Sequence, residues 1–293
     1  MFKRCLICTD LTEGLQRLSK FVEDLGAGGL EEITFFHSVP LWTQGEIPRV
    51  DTDKINEAKA FLNNSLPSIP DGMTVNIEVA SGDASNTILE AVKKFNCDFV
   101  IIGTALKNAI QKGIFGSTAT KLTKKLNVPI MILRPQLISI FREEELALRC
   151  RHLNDFWLIP YKGGKSSNYL IKKIKQYATD KVISKGHKIL LLTVIEDISR
   201  SPLLIEDNFN RAKKELEKIK QDLDSLGMDV DYLVKKGDPI PETLNVALEY
   251  DISAIALADD HDNILLDWTL RTFGQEILHR SWFPLFYIHY VED

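Results

Sequence analysis

The chain has no surplus of positive charge: 36 lysines and arginines stand against 41 aspartates and glutamates, a net charge of -5. A general nucleic-acid binder shows the opposite balance, so no nucleic-acid partner is expected. No stretch approaches the roughly 18 apolar residues that a membrane-spanning helix needs, so no membrane partner is expected either. The opening run, Met1-Phe-Lys-Arg-Cys-Leu-Ile-Cys-Thr-Asp10, meets a carboxylate too early to form the core of a secretory signal. A cytoplasmic protein is expected. Four cysteines in 293 residues are too few for a disulfide scaffold. Cys5 and Cys8 form a CxxC, but it lies inside an apolar strand, where residues three apart face opposite sides. All four are expected to be packing residues or free thiols, with no metal site. Ser-x-x-Lys, Gly-x-Ser-x-Gly, HExxH and Gly-x4-Gly-Lys-(Ser/Thr) are absent as well, so no catalytic residues are assigned.

What is present is a repeat. Strand patterns at Arg4–Thr9, Glu32–Val39, Thr74–Val79, Asp98–Ile102 and Val128–Leu133 alternate with helical patterns, the first of which has apolar residues at 15, 18, 21, 22 and 25. Such alternation implies crossover connections and a parallel sheet. The second half repeats the order from Phe156 to Ile288. Gly82 and Gly237, Gly103 and Ala258, and Pro129 and Pro284 are each 155 residues apart. Ile7 and Ile159 are 152 apart, and Gly116 and Gly274 are 158 apart. Offsets that drift by only a few residues across half a chain indicate a tandem duplication. The expected division is a first domain at 1–136, a linker at 137–152 containing the charged helix Arg142–Arg149, and a second domain at 153–293.

One stretch of the first half carries the chemistry. Gly103 and Thr104 follow a buried strand and open a loop that runs through Gly113 to Gly116-Ser117-Thr118, where a helical pattern begins. Free backbone N–H groups and a helix dipole at that point suit an anion. Gly116 lets backbone approach a ligand, and Ser117 offers a hydroxyl. A glycine turn and a serine cap with nothing bound is the competing explanation.

Taken together, Thr9-Asp10 followed by Leu-Thr, the strand end His37-Ser-Val, the Gly82-Asp turn, and Gly103 leading to Gly116-Ser117 resemble the universal stress protein domain. The match spans nearly all of residues 1–136, with a weaker copy at about 153–293. The resemblance implies two tandem copies of an open five-stranded parallel sheet with helices on both faces, Rossmann-like and of the adenine nucleotide alpha hydrolase type. It also implies ligand at the carboxyl ends of the strands, in agreement with the switch-point rule. The family motif Gly-x2-Gly-x9-Gly-(Ser/Thr) maps onto Gly103, Leu106, Gly116 and Ser117, with Leu106 replacing its second glycine. That replacement crowds the phosphate tail and favours AMP or ADP over ATP, with Mg as an accompanying ion. By the same resemblance Asp10 accepts from the ribose hydroxyls, the backbone of Ser38 and Val39 faces the adenine edge, and Leu11 and Thr12 line the floor. Capping of the first helix is the alternative role for Asp10, and His37 is expected to pack or to bond to backbone.

The second copy departs further. Lys162 stands at the position of Asp10, Ala258 at that of Gly103 and Gln275 at that of Ser117. A loop with Asp259, Asp260, His261 and Asp262 would repel phosphate. A degenerate second domain is expected, retained for packing or partner contact. The functional expectation is a stress-response protein that binds one adenine nucleotide in its first domain, without efficient catalysis. A scaffold with both pockets filled is the alternative. An intramolecular pseudo-dimer through Val128–Leu133 and Phe283–Ile288 is expected, with a further homodimer left open.

Overall fold

The computed structural model describes residues 2–12, 14–43, 47–104, 121–123, 125–196, 202–259 and 273–290. The chain divides into two compact units, at Leu153 and Asn154. In the first unit β1 (Arg4–Thr9), β2 (Glu32–Val39), β3 (Thr74–Ser81), β4 (Phe99–Gly103) and β5 (Ile130–Leu133) lie in the order β3-β2-β1-β4-β5. Every neighbouring pair in that series is parallel. Strands covered on both faces read as continuous apolar runs. Accordingly Leu6, Ile7, Ile33, Phe35, Val100 and Ile101 are fully buried.

The segment after β1 differs from the single helix its periodicity predicts. A 3-10 stretch at Leu15–Phe21 runs into the short helix α1 (Val22–Ala27). Leu15, Leu18, Phe21, Val22 and Leu25 are nevertheless all buried, as the spacing requires. The tighter winding has an anchor: the Arg17 guanidinium donates to the carbonyls of Ile138, Ser139 and Phe141. Helices α2 (Thr52–Ser65) and α3 (Ala84–Lys94) begin at Asp51 and Asp83, whose carboxylates accept the N–H of Lys54 and Asn86.

The stretch expected as a linker is part of the first unit. It forms α4 (Pro135–Ile140) and α5 (Glu143–Arg151), and α5 packs against α1. Leu146 and Cys150, one helical turn apart, are buried, and Arg151 meets Asp24 at 2.7 Å. Charged residues dominate the sequence of α5, and two apolar positions are enough to dock it.

The second unit repeats the order. Strands β6 (Phe156–Pro160), β7 (Lys188–Ile195), β8 (Asp229–Lys236), β9 (Ala254–Asp259) and β10 (Leu285–His289) lie as β8-β7-β6-β9-β10, again parallel throughout. Their helices are α6 (Gly164–Thr179), α7 (Pro202–Asp224), α8 (Pro239–Glu249) and α9 (Phe273–Arg280). Ala212, Leu216, Ile219 and Leu223 form the buried stripe of α7. Among the described residues no helix is long and apolar enough to cross a membrane.

At the core of the second unit Trp157 stacks on Phe286 at 4.5 Å and meets the edge of His187 at 4.4 Å. His187 is 4% exposed. Its Nε2 has no hydrogen-bond partner among the described residues, and burial pushes its pKa down to about 3. The folded state therefore holds a neutral ring, whereas the unfolded chain takes up a proton near pH 6.5. The contribution is complete above that pH and is lost as pH falls toward 3, by about 1.4 kcal/mol per pH unit. Replacing His187 by Phe should flatten the decline in urea-unfolding free energy between pH 6 and pH 4. Parallel declines in variant and wild type would remove His187 as the cause.

Candidate functional site

The site is set by register. Thr9, the last residue of β1, pairs with His37, so β2 overhangs β1 by two residues, Ser38 and Val39. His37 Nδ1 lies 2.8 Å from the Thr9 carbonyl. A carbonyl only accepts, so Nδ1 carries the proton and the tautomer is fixed. The Val39 carbonyl accepts the N–H of Gly82 at 3.0 Å, and the side chain of Val39 is buried. Ser38 turns to the other face, where its hydroxyl accepts from Thr87 of α3 at 3.3 Å. Of the two residues expected at the adenine edge, the side chain of Val39 is thus packed away and that of Ser38 is held by α3.

Asp10 is exposed and sits one residue beyond β1. Its Oδ1 accepts the N–H of Thr12 at 3.0 Å, while Thr9 Oγ1 accepts the N–H of Leu11 at 3.0 Å. The chain reverses there through Leu11, a non-glycine residue at φ 63°. Such a backbone costs energy at a residue with a Cβ and recurs at ligand sites. Asp10 does not cap the first helix. That helical stretch starts at Leu15 behind Gly14, with no side-chain cap.

Gly103 has a packing reason to be glycine. A Cβ there would lie 2.7 Å from Pro135 Cγ and 2.8 Å from Leu15 Cδ1, so that face of the strand end is closed by side chains. Thr104, one residue on, falls on the Ser38 face. It is 3% exposed, its N–H donates to the Leu133 carbonyl at 3.0 Å, and its Oγ1 accepts from Arg134 Nη1 at 3.1 Å. Gly113, Gly116, Ser117 and Thr118, together with Leu106, lie outside the described residues.

Two residues not picked out from the sequence belong to this end of the sheet. Arg134, directly after β5, is 5% exposed, and burial draws its pKa down. Lys121, just past the glycine-punctuated loop, pairs with Asp83 at 3.2 Å. That bond, followed by the N–H of Asn86, holds the Asp83 carboxyl below its usual range. The sequence shows only an arginine directly after the apolar run Val128–Leu133 and directly before Pro135, which does not by itself reveal that it is buried.

The cysteines are free. Burial raises the thiols of Cys5 and Cys8 well above the ordinary range, so both stay protonated. Among the described residues no group of three His, Cys, Asp or Glu side chains could hold a metal ion.

The second unit reproduces the scaffold with other side chains. Thr193 Oγ1 donates to the Tyr161 carbonyl at 2.7 Å, as His37 does to Thr9, and Gly237 N–H donates to the Ile195 carbonyl at 3.1 Å, as Gly82 does to Val39. The position of Thr9 is filled by Tyr161, which is buried. Its hydroxyl donates to Glu215 Oε1 at 2.6 Å and lies 2.7 Å from Asn168 Oδ1. Lys162 is exposed where Asp10 stands in the first unit.

Residues 1–134 match the model of the universal stress protein family. The stress response protein NhaX of Bacillus subtilis (strain 168) is 31% identical over 80 residues, which span 27% of this chain and 45% of that protein. A universal stress protein from Archaeoglobus fulgidus DSM 4304 has the same fold, with a TM-score of 0.63 at 17% identity over 98% of this chain and 97% of that one. A functionally unknown protein from Pseudomonas aeruginosa PAO1 is similar at a TM-score of 0.56 and 13% identity, over 98% of this chain and 92% of that one.

The packing at Gly103 is open to test. Gly103→Ala should cost about 1–3 kcal/mol in urea unfolding of the ligand-free protein, because a rigid proline ring and a buried leucine must give way. Wild-type stability in that variant would mean that the glycine serves something other than packing.

Proposed function

We propose, from the premise that residues 1–134 are a universal stress protein domain, that this chain is a stress-response protein binding one adenine nucleotide at the carboxyl end of its first sheet. The observation that carries this is the exposed Asp10 carboxylate, one residue beyond β1 and beside the strained Leu11, at the point where strand order reverses between β1 and β4. An open parallel sheet offers its ligand crevice at such a point. There Asp10 would accept from ribose hydroxyls, as its acceptor-only carboxylate allows. The overhanging end of β2 would meet the adenine, and the loop entered through Gly103 and Thr104 would take the phosphate on Gly116, Ser117 and Thr118. Leu106 stands in the sequence where the family motif has its second glycine, so AMP or ADP is favoured over ATP in this proposal, and Mg would accompany the longer phosphate tails. The role is binding and signalling, in the cytoplasm, without efficient turnover.

For the second unit a specific observation favours the other reading, a packing or interaction module. Tyr161 fills the strand end and is tied to Glu215, whose carboxylate is unfavourable to a phosphate.

Thermal melting of the whole chain with each nucleotide tests the proposal. AMP and ADP should raise the midpoint of the first unit, by about 2.7 kcal/mol of added stability at a hundredfold excess over Kd. Asp10→Ala and Ser117→Ala should remove the shift, whereas Lys162→Ala should keep it. No shift with AMP, ADP or ATP at millimolar concentration would favour the scaffold. Loss of the shift in Lys162→Ala would move the site to the second unit.

A further inference from the structure

We propose that the outer edge of β8, in the second unit, pairs antiparallel with the same edge of a second copy of this chain. Among the described residues β8 pairs with β7 and with no other strand. In a parallel pair one residue turns both its N–H and its carbonyl to the neighbouring strand, and the next turns both away. Asp229 N–H donates to the His187 carbonyl at 3.0 Å, and Gly237 N–H donates to the Ile195 carbonyl at 3.1 Å. The odd-numbered residues of β8 therefore serve β7. Val230, Tyr232, Val234 and Lys236 turn their backbone outward.

Helix α7 finishes the first of these. The Asp224 carboxylate accepts the Val230 N–H at 3.2 Å, and the Lys220 ammonium donates to the Val230 carbonyl. Lys220 and Asp224 also pair with each other at 2.9 Å, so side chains close this end of the edge. No such cover reaches Tyr232 or Val234. Their outward N–H and carbonyl groups have no partner among the described residues. An edge left open in this way is a template for another strand.

The charges along the strand select the partner. Asp229-Val-Asp-Tyr-Leu-Val-Lys-Lys236 holds its acids at one end and its bases at the other. A second copy running antiparallel sets acids against bases, whereas a parallel copy would set like against like. Outward-turned residues must face outward-turned residues, which leaves few registers. With Leu233 opposite Leu233 of the second copy, Tyr232 and Val234 of each chain exchange bonds with Val234 and Tyr232 of the other. Asp231 then falls opposite Lys235 on both sides of the two-fold axis, on one face of the sheet. The ladder stops at Val230, which α7 has already satisfied. Sliding the copies to the next allowed register either calls on Val230 or sets Lys235 against Leu233. Lys235 holds Glu249 at 3.5 Å with both side chains partly exposed, so a second carboxylate can join it. Such a contact is isologous and closes on itself. The first unit supplies the contrast: its edge β3 carries one charge, Glu78, which Lys94 takes at 2.8 Å. Nothing in β3 selects a register for self-pairing.

Sedimentation velocity of the full chain, from micromolar to millimolar concentration, tests the proposal. Wild type should pass from monomer to dimer. Val234→Pro removes an outward N–H that the single chain does not use, so that variant should stay folded and remain monomeric. Asp231→Lys and Lys235→Asp each set like charges opposite one another at both symmetric places, and each should weaken the dimer about tenfold. Asp231→Lys combined with Lys235→Asp exchanges the charges and should restore wild-type association. Wild type that stays monomeric throughout overturns the proposal, as does a dimer that Val234→Pro leaves intact. If Val234→Pro does not fold, the charge variants decide. Single variants that associate like wild type, or a double variant that does not recover, overturn the proposal instead.

Discussion

Parallel strands cannot be joined by a tight turn, so each connection must cross a face of the sheet. Where the order of strands reverses, two successive crossovers leave in opposite directions and their loops part. In the first unit that parting falls between β1 and β4. Everything chemically distinctive about the unit gathers at that end: the exposed Asp10, the left-handed Leu11, the overhang of β2, and the buried pair of Thr104 and Arg134. One side of the parting is closed by Leu15 and Pro135 against Gly103. On the Ser38 face α3 begins close by, with Thr87 bonded to Ser38. The sheet order thus sets where along the strand ends a ligand could enter.

The two units separate scaffold from content. Their shared features are backbone devices: a side chain of β2 or β7 donating to the carbonyl at the end of the central strand, a glycine N–H donating to the carbonyl that ends β2 or β7 itself, and an aspartate capping the following helix. These recur with different residues, His37 in one unit and Thr193 in the other, because any short donor at that place satisfies the same carbonyl. The divergent features are the ones that would touch a ligand. Threonine gives way to tyrosine and aspartate to lysine. The backbone devices recur in both units, and the side chains at the strand ends differ.

This distinction also explains what could be seen from the sequence. Strands that are buried on both faces must be apolar throughout, so their positions and the offset of 155 residues were visible without coordinates. The burial of 15, 18, 21, 22 and 25 followed from spacing, but the 3-10 winding did not, since it depends on Arg17 reaching carbonyls more than a hundred residues away. Helix α5 looked like a linker because its composition is dominated by charge, and only tertiary contact shows Leu146 and Cys150 facing inward. Asp10 was singled out through the resemblance to the universal stress protein domain, while its helix-cap alternative failed because four residues separate it from the first helical turn. Arg134 was overlooked because charge in a sequence is read as surface, and burial of a charge is a property of the folded chain.

Asp10 and Arg134 carry opposite charges at the same end of the first sheet, and their surroundings differ, Asp10 being exposed and Arg134 buried. A carboxylate exposed to water loses little by exchanging solvent for hydroxyl donors, so it can read a sugar at modest cost and with modest strength. A guanidinium out of water acts over a longer range and is felt mainly by a charged group. Under the adenine-nucleotide reading, the first would recognise hydroxyl placement. Exposure at the end of β1 and burial at the ends of β4 and β5 thus give one end of the first sheet two different electrostatic settings.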